Sequence, residues 1–94
     1  MKIAGLIWLA DVVEKLLSKH NVHPQEVKEV FANRPHFRFV EKGHRRGENV
    51  YVALGQTNSG RYLAIFFVLK KGGQALILSA RDMTRAERRL YEQE

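Results

Sequence analysis

After Pro35 the chain changes period, and the links between its apolar runs become too short to hold a helix. Phe37 and Phe39 alternate with His36, Arg38 and Val40, and Val50, Val52 and Leu54 alternate in the next run. A period of two marks a strand with one covered face. The third run, residues 61–69, is apolar almost throughout from Tyr62, as a strand covered on both faces would be. The fourth is residues 75–80. Between them lie residues 41–47, 57–60 and 70–73, turn-like stretches that carry glycine. A parallel pair needs a crossover of about a dozen residues or more, so these links predict a four-stranded antiparallel meander.

Helical spacing occupies both ends. Leu6, Leu9, Val13, Leu16 and Leu17 share one face of a first predicted helix, widened by Ile7, Trp8 and Val12. Trp8 reads as a core or lid anchor, with base stacking as the other reading. Asn21 suits a left-handed residue at the helix end. Pro24 then suits the first position of a second helix, and Val27, Val30 and Phe31 give it a buried side. Arg34, preceding Pro35, is driven out of helical geometry and stops it. At the far end Thr84 offers an N-cap oxygen and Glu87, three residues on, can bond back, the capping-box arrangement. The expected fold is therefore α+β: two N-terminal helices, the meander, and a C-terminal helix, in one domain over residues 1–94.

Ninety-four residues with 45% hydrophobic content suit a globular chain with a single core, and a disordered chain is not expected. The absence of cysteine removes disulfides, thiol catalysis and Cys-based zinc sites. Net charge is +6 and uneven: residues 1–30 carry four Lys against four acidic side chains, so the whole excess lies in residues 31–94. That favours a phosphate-bearing or acidic partner over plain solubilising charge only when joined to other signals. Asp11 interrupts the apolar start, against a signal peptide, and the apolar run 62–69 is too short to span a bilayer. A cytoplasmic location with no membrane partner is expected.

His20 and His23 straddle a predicted helix boundary, His36 and His44 lie elsewhere, and no compact acidic cluster joins them, so no metal site is expected. The glycines fall in turns and not in a phosphate loop, and Ser79 lacks triad partners in any recognisable pattern. A dense set of Arg, Lys, His and Tyr remains. RNA can be cleaved without a metal or cofactor when a base takes the 2′-OH proton, fixed cations hold the phosphorane, and an acid protonates the leaving oxygen. His titrates in the right range, Lys does so when neighbouring cations depress it, and Arg supplies fixed charge.

Lys19-His20-Asn21-Val22, Gly47-Glu48 before the second strand, and above all Leu78-Ser79-Ala80-Arg81-x-x-Thr84-x-x-Glu87-Arg88-x-x-Tyr91-Glu92 resemble the BrnT family of bacterial toxins, over Trp8 to Glu92. The resemblance implies a RelE-like fold and the toxin of a type II toxin-antitoxin system, a metal-independent endoribonuclease that blocks translation. It also implies a BrnA-like antitoxin with a ribbon-helix-helix domain, through which oligomers can form. Lys19 and His20 match the family's basic pair after the first helix, Arg81 its arginine after the last strand, and Arg88 and Tyr91 positions in the last helix.

The expected catalytic residues are Arg81, to stabilise the phosphorane, and Lys19 or His20, to move protons. Arg61, Arg45, Arg46, Arg88 and Tyr91 are the expected RNA contacts. Each has a plainer reading. Arg81 could pair with Asp82 or Glu87, Lys19 and His20 could serve the helix dipole, Arg45 and Arg46 could be a solvated loop, and Tyr91 could pack its ring. The rival functions are a non-catalytic nucleic-acid-binding module, or an antitoxin-binding module that has kept the toxin fold. All of these expectations assume one pocket that gathers cations from distant parts of the chain.

Overall fold

A computed structural model describes residues 1–43 and 47–93. The meander is present as strands β2 (His36–Glu41), β3 (Val50–Gln56), β4 (Tyr62–Lys70) and β5 (Gln74–Asp82), each antiparallel to the next. Three helices accompany it: α1 (Ala10–His20), α2 (Pro24–Ala32) and α3 (Arg85–Glu92). Asn21 ends α1 at φ 51°, in the left-handed region, and Pro24 opens α2, both as expected.

One expectation is corrected. The sheet has five strands and is mixed, because Gly5–Ile7 forms a further strand, β1, parallel to β5. The order is β1-β5-β4-β3-β2. The spacing of Leu6, Ile7 and Trp8 fits the first helix, yet α1 begins only at Ala10. Short contiguous apolar runs fit strand and helix equally. The partner that decides this one, Ala75 against Leu6, lies far along the chain.

The sheet separates two apolar layers. On the first face α1 and α2 bury Leu16, Val22, Val27 and Val30 against Ala53, Leu63, Ile65, Phe67, Ile77 and Ala80. Each of the larger side chains removed from water there contributes about 1.5–3 kcal/mol. Trp8 packs on this layer as a core anchor. Gly55 is required where α2 meets β3, since a Cβ there would lie 2.9 Å from Val30 Cγ1 and 3.2 Å from Pro35 Cβ. Asn33 Nδ2 donates to Gln56 O at 3.0 Å and to Asn58 Oδ1 at 2.9 Å, tying the end of α2 to the β3–β4 turn.

On the second face α3 lies across one end of the sheet. Its N-terminus has the expected capping box: Glu87 N donates to Thr84 Oγ1 at 3.1 Å, and Thr84 N to Glu87 Oε1 at 2.8 Å. Met83 and Tyr91 pack there against a small cluster of Val52, Leu54 and Ala64. No residue of α3 is fully buried, so polar contacts carry much of its attachment.

Candidate nucleic-acid face

Period-two alternation puts Ala80 under α1 and sends Arg81 to the opposite face, toward α3. Its guanidinium grips Glu87 with both arms, Nη1 to Oε1 at 2.7 Å and Nη2 to Oε2 at 2.9 Å, and Nη1 also reaches Asp82 O at 3.1 Å. Its carbon Cζ stands 5.1 Å from the centre of the Phe66 ring. The hydrogen bond to Glu87 raises the Arg81 pKa against the opposing effect of partial burial. The same bond holds the Glu87 carboxyl below the usual carboxylate range, helped by the Thr84 amide and opposed by burial.

Strand register defines what shares this face. His36, Leu54, Ala64 and Arg81 form one row across β2, β3, β4 and β5. Arg38, Val52, Phe66 and Ser79 form the next. Three strand spacings separate the ends of a row, roughly 14 Å at the backbone. Between the ends of the first row Leu54 and Ala64 are buried beneath Met83 and Tyr91, so the apolar surface left open beside Arg81 is the half-buried Phe66. At one margin Tyr91 packs on His36 at 4.8 Å and on Tyr62 at 5.9 Å between ring centres, and its hydroxyl reaches Gln56 Oε1 at 3.5 Å. Arg88 Cζ lies 3.9 Å over the Tyr62 ring, and its Nε is 3.7 Å from Glu92. Arg81 and Arg88, beside the half-buried Phe66 and Tyr62 rings, form the part of this face that can hold a phosphate next to a base, and His36 and Arg38 stand on its β2 side.

A model of the family described as "Ribonuclease toxin, BrnT, of type II toxin-antitoxin system" matches residues 8–87. The chain belongs to the BrnT family. Its fold is similar to that of the Brucella abortus ribonuclease toxin BrnT in its crystal structure, with a TM-score of 0.60 at 13% identity, over 89% of this chain and all of that one. No curated protein matches the sequence. Membership brings a toxin role, with an RNA substrate and an antitoxin partner. In this BrnT-family chain no helix among the described residues is long and apolar enough to cross a membrane. Nor do the described residues hold a group of three or more His, Asp or Glu able to bind a metal ion.

The single pocket expected from the sequence is not what this BrnT-family chain holds. Lys19 and His20 end α1 on the first face, across the sheet from Arg81. Lys19 is exposed and His20 half-buried. Arg61 is also on that side and is fully engaged. Its Nε donates to Asp82 Oδ1 at 2.8 Å, Nη1 to Asn21 O at 2.7 Å and Nη2 to His20 O at 3.0 Å, with Glu26 Oε1 at 3.3 Å from Nη1. The bond to Asp82 comes first among the causes that raise its pKa, against burial. Arg61 therefore acts as a clamp that caps the open carbonyls of α1 and ties α1, α2 and β5 together. Arg45 and Arg46 lie outside the described residues. Arg88 and Tyr91 do share the face of Arg81. The residues that sequence reasoning left out of the site are His36 and Arg38. Their signal was present in the alternation of β2, which sets both opposite Phe37 and Phe39, but which face of the sheet carries the site could not be read from it.

Proposed function

We propose that this chain is a metal-independent endoribonuclease whose cleavage of RNA inhibits translation, and that the reaction is centred on the Arg81 face. The observation that supports this most is that Arg81, Arg88 and Tyr91 share one face of a BrnT-family fold, with the His36 imidazole against Tyr91 on the same side of the sheet. Arg81 neutralises charge on the scissile phosphate, with the phosphate competing against the Glu87 carboxylate for the fork. His36 transfers protons, and Arg88 and Tyr91 hold the neighbouring nucleotide at the α3 margin. Lys19, separated from Arg81 by the sheet, supplies charge to the end of α1, and the His20 carbonyl accepts from Arg61. The antitoxin carries a ribbon-helix-helix domain and the complex acts in the cytoplasm.

Purified protein should cut RNA equally with and without chelator, and its expression should arrest protein synthesis before it affects other processes. Arg81→Ala and His36→Ala should each lower the cleavage rate by about 100-fold or more, with the circular dichroism of the parent. Lys19→Ala and His20→Ala should stay within about twofold of the parent. Loss of activity in that second pair, with Arg81→Ala still active, would move the reaction to the α1 end of the molecule. The engagement of Arg81 by Glu87 favours one other reading, a module that binds RNA through this face and leaves it intact. Intact RNA in the assay, with binding that weakens as salt rises, would select it.

A further inference from the structure

The first face of the sheet is not wholly covered by its two helices. Between the N-terminal strand, α2 and the start of β2 lies an open cleft of about 590 Å³, with Ile3 and Leu6 on one wall and Phe31, Pro35 and Phe37 at its base. That is room for several side chains, far more than a packing defect between elements. The base continues as a contiguous series of rings. Phe31 meets Phe37 at 6.2 Å, Phe37 meets Phe67 at 5.9 Å, Phe67 meets Tyr51 at 5.9 Å, and Tyr51 meets Phe39 at 6.0 Å. Phe67 is fully buried, whereas Phe39 at the far end is 56% exposed. Phe39 sits on β2, the edge strand of the sheet, beside the exposed Val40. Phe67 closes the series beneath the surface, so the cleft and the edge around Phe39 are two separate exposed apolar areas, and such patches and edges are surfaces that other chains use.

The rim of the cleft is cationic. Lys28 and Arg34 line it, both exposed, and among the described residues neither has an acidic partner. Arg34 is also held at φ 54°, in the left-handed region that disfavours a side chain of its kind. Holding an arginine there costs about 1–2 kcal/mol relative to ordinary backbone, where Gly or Asn would serve the turn more cheaply.

We propose that this cleft docks an acidic segment of a partner protein that carries aromatic or aliphatic anchors. Its side chains enter between Leu6 and Phe37, and its carboxylates meet Lys28 and Arg34. RNA is a poorer occupant, because only Lys28 and Arg34 among the lining residues are cationic and they do not continue into a track for a phosphate backbone. A partner seated here leaves the Arg81 face open, since the sheet lies between them.

The test uses the full chain, 15N-labelled, titrated with a nine-residue peptide that alternates Glu with Leu and Phe. Saturable amide shifts are expected at Ile3, Leu6, Lys28, Arg34 and Phe37, with weaker binding at higher salt. The counterpart peptide with Lys in place of Glu should produce none. Lys28→Glu combined with Arg34→Asn, a residue that tolerates the left-handed backbone, should raise the Kd about tenfold while leaving RNA cleavage unchanged and the melting temperature no lower than the parent's. Shifts confined to the Arg81 face, no saturable shift, or equal binding of the Lys peptide would overturn the proposal. So would a uridine oligonucleotide shifting Lys28 and Arg34, which would make the cleft an RNA site. Concentration-dependent dimerisation that occludes the cleft would assign it instead to a second copy of the chain.

Discussion

Arg61 and Arg81 look alike in the sequence, each an arginine at the end of an apolar strand, and they differ only in which way the pleat turns them. Arg61 goes to the helix-covered side and meets two helix carbonyls and two carboxylates. Replacing it by Ala strands those carbonyls, so Arg61→Ala should cost about 2 kcal/mol, read as a fall in Tm of roughly 10 °C. Lys at this position should recover little, because a point charge cannot serve three directions at once. Arg81 meets Glu87 and depresses its carboxyl pKa. A depressed folded-state value means the pair stabilises the fold above the ordinary carboxyl value of about 4.3, and that contribution is lost as pH falls from there through the lower folded value. Denaturant midpoints followed down through this window should drop for the parent. In Arg81→Gln the drop attributable to Glu87 should shrink, and an unchanged acid limb would remove the ion pair as its cause.

At the scale of elements, the pieces whose signals are local came through intact. The Thr84–Glu87 box, the Asn21 stop and the Pro24 start are each set within four residues, and each was read correctly. β1 was not, because three apolar residues carry no period. Its identity depends on Gly5, Leu6 and Ile7 finding Gln74, Ala75 and Leu76. Deleting residues 1–7 should therefore act as loss of a strand. The edge of β5 would be bared and the melting temperature should fall by about 10 °C or more, with aggregation at high concentration. A truncated protein that melts like the parent and stays monomeric in sedimentation would show that β1 contributes nothing.

For the molecule as a whole, the +6 excess comes from residues 31–94, and basic side chains from both parts of the chain reach two surfaces with different surroundings. Arg81, Arg88 and Arg38 flank a floor beside α3, whereas Lys28 and Arg34 rim a cleft on the reverse. Affinity for single-stranded RNA should fall linearly on a log–log plot against salt. Arg81→Ala should reduce the slope by about 0.7, as expected for one lost phosphate contact. Lys28→Glu should leave that slope unchanged, and a steeper loss there than at Arg81 would exchange the roles of the two faces. The residues themselves determined the antiparallel meander, the helix boundaries near Asn21, Pro24 and Thr84, and the basic character, because each follows from local sterics, period or charge. Only the tertiary structure decided that β1 is a strand, that Arg61 is a clamp, and that Lys19 and His20 stand across the sheet from Arg81. Those outcomes depend on which residues distant in the chain are brought into register, and on a pleat whose one-residue step sends a side chain to one face or the other.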